Sequence, residues 1–151
     1  MKLLTYDIVF QEIPDEVTLA LNLSGCPYRC FGCHSPHLQE ETGEELTENL
    51  LTNLMSAYGQ SVTCICFMGG DNDPEKVLNI AKYAKQFQKK IAWYSGNPNL
   101  YKDAYLFFDY IKTGQYIQEL GALNSQNTNQ RFYRIENQIM IDITEQFKRN
   151  D

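Results

Sequence analysis

Cys26, Cys30 and Cys33 stand in the run of residues 25–34, GCPYRCFGCH. Three thiolates on one short loop can hold three corners of an iron–sulfur cube. A cube has four irons, so one would stay open to a small molecule. The chain has five cysteines, an odd number, and three of them share this loop. In a reducing compartment that pattern favours metal or redox chemistry over structural disulfides. Zinc is the alternative: Cys26, Cys30 and Cys33 with His34 or His37 would complete a Cys3His site in a binding module without chemistry. Structural zinc loops more often pair two C-x2-C units from separate places, and the sequence has no second unit.

The elements that must position this loop can be read from pattern. Residues 4–10 and 16–24 read as strands around the turn-like Ile13-Pro14-Asp15, and the cysteines follow the second. Thr47 can cap a helix that runs to about Tyr58. Residues 62–68, VTCICFM, are an unbroken apolar-rich run, as in a strand covered on both faces. Gly69-Gly70-Asp71 ends it, and Asp73 with Pro74 opens a second helix. Residues 91–94 and 107–112 are further strands, ended by Ser95-Gly96 and Thr113-Gly114. Residues 131–135 and 138–143 suggest a hairpin around Glu136-Asn137.

Alternating strands and helices predict an α/β fold with a mainly parallel sheet and right-handed crossovers. Ligands of such sheets collect at the carboxyl ends of the strands. The cysteine loop, Gly69-Gly70-Asp71, Ser95-Gly96 and Lys112-Thr113-Gly114 are therefore expected on one rim. Cys64 and Cys66 share one side of their strand and read as small buried hydrophobes.

The 151 residues suit a single domain spanning 1–151, and 43% hydrophobic and 13% aromatic content suits a packed core. No signal pattern opens the sequence and no apolar run approaches a membrane span, so a cytoplasmic, membrane-free protein is expected. The net charge of −6 argues against generic nucleic-acid binding. Lys82, Lys85, Lys89 and Lys90 read as a solvated helix face. No Gly-rich phosphate loop, Ser–His–Asp set or paired-carboxylate hydrolase signature stands out.

With the cysteine triplet after a strand and a Gly-Gly-acid turn after a later one, the sequence resembles the radical S-adenosylmethionine enzymes. It is most similar to their short members, the activating proteins of anaerobic (class III) ribonucleoside-triphosphate reductase. The resemblance also rests on Trp93-Tyr94-Ser95-Gly96, Tyr110-Ile111-Lys112-Thr113-Gly114 and Thr128-Asn129-Gln130-Arg131. It implies an incomplete, open (βα) partial barrel with a C-terminal β-hairpin, whose wide mouth suits a protein substrate. A full eight-fold barrel needs more chain.

By the same resemblance, Cys26, Cys30 and Cys33 ligate a [4Fe–4S] cluster whose fourth iron takes the amino and carboxylate groups of S-adenosylmethionine. One electron, from a donor such as a flavodoxin or ferredoxin, then gives methionine and a 5′-deoxyadenosyl radical. That radical takes hydrogen from a glycine of the reductase. Gly32, Cys33, His34, Gly69, Gly70, Asp71, Ser95 and Lys112 are the expected cofactor contacts. Asp71 departs from the usual Gly-Gly-Glu by one methylene. Gly32 stands where the superfamily prefers an aromatic; the short activators tolerate glycine there, and Phe31 or His34 could stack on the adenine instead.

Overall fold

The computed structural model describes residues 1–28, Gly32 and residues 36–148. Two helices form where the caps predict them. The Thr47 hydroxyl accepts the Leu50 N–H at 3.1 Å and opens α1, Glu48–Tyr58. The Asp73 carboxylate accepts the Lys76 N–H at 3.3 Å, and Pro74 takes the first position of α2, Pro74–Ala84. Each cap satisfies a backbone donor that the helix itself leaves free. Leu51, Leu54 and Met55 of α1 are buried, as are Val77, Ile80 and Ala81 of α2.

The strands are β1 (Lys2–Val9), β2 (Thr18–Leu23), β3 (Glu44–Glu45), β4 (Cys64–Met68), β5 (Lys90–Tyr94), β6 (Tyr110–Thr113), β7 (Arg131–Glu136) and β8 (Ile139–Asp142). They form one sheet in the order β3-β1-β2-β4-β5-β6-β7-β8. The apolar run of β4 is covered on both faces, as its composition requires. Ile65 and Phe67, with Ile91, Trp93 and Ile111, pack in one apolar cluster with the helices. Cys64 and Cys66, with Ala92 and Tyr110, point to a second cluster that includes Ile13, Phe132 and Ile143.

The expected partial barrel with a mainly parallel sheet is not what forms. The sheet is mixed: β2–β4, β4–β5 and β5–β6 pair parallel, while β1–β2, β1–β3, β6–β7 and β7–β8 pair antiparallel. The reason lies in the connections. A parallel neighbour needs a crossover of a dozen or more residues, usually helical. Residues 10–17, between β1 and β2, are too few, and residues 114–130, between β6 and β7, carry no α-helix. Among the described residues only two α-helices cross over, so a repeated βα barrel is not built. A hairpin does form, but its turn lies one residue later than expected: Glu136 pairs with Ile139, and Asn137 and Gln138 make the turn, both at positive φ, the conformation that matches strand twist. No sequence signal marked the two-residue β3.

Candidate functional site

Because β2, β4, β5 and β6 are mutually parallel, their carboxyl ends share one rim. Asn22, Met68, Tyr94 and Lys112 stand in one row across these strands. The segments directly after that row are the ones the sequence singles out.

At the end of β2, the buried Ser24 hydroxyl donates to the Thr42 carbonyl at 2.5 Å and accepts the Thr42 N–H at 3.0 Å. The Cys26 N–H donates to the Leu38 carbonyl at 2.9 Å. These bonds fix where the cysteine loop leaves the sheet. Cys26 is a free, partly exposed thiol. Gly25 has φ +77°, and a Cβ there would lie 2.8 Å from the Asn72 amide nitrogen. Cys30, Cys33 and His34 lie outside the described residues, as does Phe31. Gly32, at φ +72°, is placed beside the Gln118 side chain.

The turn after β4 needs its glycines. Gly69 and Gly70 have φ of +103° and +87°, and a Cβ on Gly70 would meet Val77 at 2.5 Å. Two groups of β5 hold the first glycine. The Trp93 indole N–H donates to the Gly69 carbonyl at 2.7 Å, and the Gly69 N–H donates to the Tyr94 carbonyl at 3.0 Å. Asp71 reaches the end of β5. It accepts the Ser95 hydroxyl at 2.5 Å on Oδ1 and the Gly96 N–H at 2.8 Å on Oδ2. Burial pushes the Asp71 carboxyl up; the bonds from Gly96 and Ser95, and the Lys112 charge, oppose that rise.

Ser95 is buried, and its N–H donates to the Lys112 carbonyl at 2.8 Å. Its hydroxyl also accepts the Asn97 N–H at 3.0 Å. The Lys112 ammonium donates to the Gly114 carbonyl at 3.0 Å and lies 5.7 Å from the Tyr94 ring centroid. A cavity of about 530 Å³ opens over this end of the sheet, lined by Glu12, Met68, Tyr94, Lys112, Tyr116 and Gln130 among others. It holds one cation, one anion and several aromatic or amide groups, the mixture that orients a small polar ligand. The structure thus gathers Cys26, Gly69, Gly70, Asp71, Ser95 and Lys112 on the same rim.

Cys64 and Cys66 are set apart from that rim by burial. Burial pushes the Cys64 thiol up to about 12 and raises Cys66 well above its ordinary value. The Cys66 thiol faces the Met68 sulfur at 3.4 Å. Such neutral, enclosed thiols are packing groups rather than metal ligands.

A family model described as a 4Fe-4S single cluster domain matches residues 16–139, which is most of the chain. The chain belongs to this family. No match was found among curated proteins or among solved structures. As a 4Fe-4S single cluster domain, the protein is an iron–sulfur protein, and the matched span contains the whole cysteine loop. The described donor fits that group: Cys26 offers a soft sulfur ligand at a strand end, accessible and free of a disulfide. Among the described residues, no helix is long and apolar enough to cross a membrane.

Sequence reasoning gives no role to Ser24, and places Tyr28 and Trp93 within motifs without assigning them a part in this 4Fe-4S domain's rim. Their bonds and contacts reach residues 18 to 68 positions away, beyond what local spacing can signal. A conspicuous lone tryptophan just before Ser95-Gly96 was the nearest thing to a clue.

Proposed function

We propose that this 4Fe-4S domain is a radical S-adenosylmethionine enzyme that generates a glycyl radical on an anaerobic ribonucleoside-triphosphate reductase. The observation that carries the proposal is the convergence of Cys26, Gly69-Gly70-Asp71, Ser95 and Lys112 at the carboxyl ends of parallel strands, with Lys112 also lining the cavity. The motif resemblance supplies the reaction. Cys26, Cys30 and Cys33 are the proposed cluster ligands. When bound, the cluster supplies one electron for cleavage of the sulfonium of S-adenosylmethionine at an iron left free by the three cysteines.

The chain's own residues then bind and orient. Gly69 and Gly70 let the turn take its left-handed backbone and pack against Leu23 and Val77, which sets Asp71 over the end of β5. The Lys112 ammonium offers a compact positive charge to a carboxylate. Asp71 and Ser95, already bonded to each other, form a polar wall of fixed geometry. Gly32, Cys33 and His34 complete the proposed cofactor contacts from the cysteine loop. The partners are the reductase and an electron donor such as a flavodoxin or ferredoxin, in the cytoplasm.

The test is anoxic reconstitution with iron and sulfide, followed by S-adenosylmethionine and a strong reductant. Formation of 5′-deoxyadenosine is expected; its absence from an iron-replete sample would overturn the enzyme reading. Addition of the reductase is expected to give a glycine-centred electron paramagnetic resonance signal. Cofactor cleavage without that signal would point to another substrate. Zinc without iron or sulfide after anoxic purification would return the chain to the zinc-binding alternative.

A further inference from the structure

Gly96 has a requirement that its backbone does not explain. Its φ lies outside the left-handed region, so alanine would be unstrained there. The obstacle is a ring. A Cβ on Gly96 would lie 2.7 Å from Cδ2 and 2.8 Å from Cε2 of Tyr28, far inside normal contact. Tyr28 stands between Cys26 and Cys30 in the sequence. The aromatic between the first two cysteines therefore rests on the bare backbone at the end of β5.

Asp71 holds that backbone in place. Its Oδ2 accepts the Gly96 N–H at 2.8 Å, while its Oδ1 accepts the hydroxyl of Ser95, the preceding residue. The carboxylate is half-buried, so both bonds are partly shielded from competing water. The peptide at Gly96 is thus gripped from the β4 turn on one side and covered by Tyr28 on the other.

We infer that Gly96 is the seat on which Tyr28 sets the cysteine loop for cluster binding, and that Asp71 is the positioning residue that fixes this seat. The inference rests on the cluster-binding reading of the loop. It assigns Asp71 a task separate from any contact with the cofactor: it acts on the cluster through Gly96 and Tyr28. Groups that orient metal ligands from outside the ligand shell typically change metal affinity by about 10–100-fold when removed.

The experiment compares the full chain with Gly96→Ala, Tyr28→Ala and Asp71→Asn. Each is reconstituted anoxically at limiting ferrous iron and sulfide. Iron and sulfide per chain, the thermal midpoint of the cluster-free chain and retention of S-adenosylmethionine are measured. Iron and sulfide are expected to fall by about tenfold or more in Gly96→Ala and Tyr28→Ala, with the cluster-free midpoint unchanged. Asp71→Asn, which cannot accept on both sides, is expected to fall in the same direction. Full loading of folded Gly96→Ala, or of Tyr28→Ala should the first fail to fold, overturns the seat. Full loading of Asp71→Asn with weakened cofactor retention overturns the positioning role and makes Asp71 a direct contact. Failure of the unaltered chain to take up iron and sulfide would instead overturn the cluster reading beneath both.

Discussion

Trp93 joins packing to chemistry in a single side chain. Its ring lies 5.4 Å from Phe108 and 6.3 Å from Tyr101, centroid to centroid, inside the helix-covered core. Its N–H ends on the Gly69 carbonyl. Trp93→Phe keeps an aromatic in the core and strips that bond. It is expected to cost about 1–2 kcal/mol, the usual loss when a part-buried acceptor is orphaned, plus a packing term. Urea unfolding checks this; an unchanged midpoint would show that the bond does not hold the turn. Cys64 makes a pH prediction. Its folded thiol ionises near 12, against 9.0 for the free group, because of burial. Between those values the unfolded chain has lost the proton and the folded chain keeps it. Stability is therefore full below about pH 9 and falls as pH rises toward 12, by up to about 1.4 kcal/mol per unit from this group. Cys64→Ala should lower neutral stability by leaving a void but flatten that alkaline decline. Urea midpoints taken across the alkaline range will show the change of slope or its absence. Among the loop residues, Cys30→Ala should abolish cluster-dependent cofactor cleavage; full activity in that variant would contradict the ligand assignment.

The two helices are the elements most legible in the sequence. Thr47 and Asp73 announce them, and the caps are made as their residue types suggest. Thr47→Ala should cost about 1 kcal/mol, measurable by chemical denaturation, because Leu50 N–H loses its acceptor. An effect near zero would mean that α1 is held by its buried face alone. β4 was legible for a different reason: an apolar run must be covered on both sides, and here two apolar clusters cover it. Strand direction was the misreading. Alternation of strands and helices suggests a mainly parallel sheet ahead of the terminal hairpin, yet side-chain pattern carries no direction. Connection length does, and residues 10–17 already ruled out a helical crossover between β1 and β2. The β6–β7 connection was harder to read, because seventeen residues are enough for a crossover and the chain simply forms no α-helix there.

The described residues form a sheet held by two apolar layers, with Cys26 just beyond the end of β2 at its rim. Its stability should therefore not depend on metal in the way a small zinc finger's does. About 68–70% of the unfolded surface can be buried by a chain of this length without staples. Chelation of iron is expected to remove cluster absorbance while far-UV circular dichroism stays native. Collapse of the dichroism on chelation would show that the cluster is a folding element. The acidic net charge of −6 adds that docking of a partner should depend on local features rather than on bulk attraction.

By itself the sequence determined the caps, the apolar runs, the terminal hairpin and the cysteine loop, because each is a local pattern of residue types a few positions apart. It also placed Cys26, Gly69, Gly70, Asp71, Ser95 and Lys112 at strand ends. Only the tertiary structure decided which strands run antiparallel, that Asp71 grips Ser95 and Gly96, and that Tyr28 lies on Gly96. Those contacts join residues 24 to 68 positions apart. Their geometry follows from the register of β4 against β5 and the packing of the loops above them, and no spacing along the chain encodes that directly.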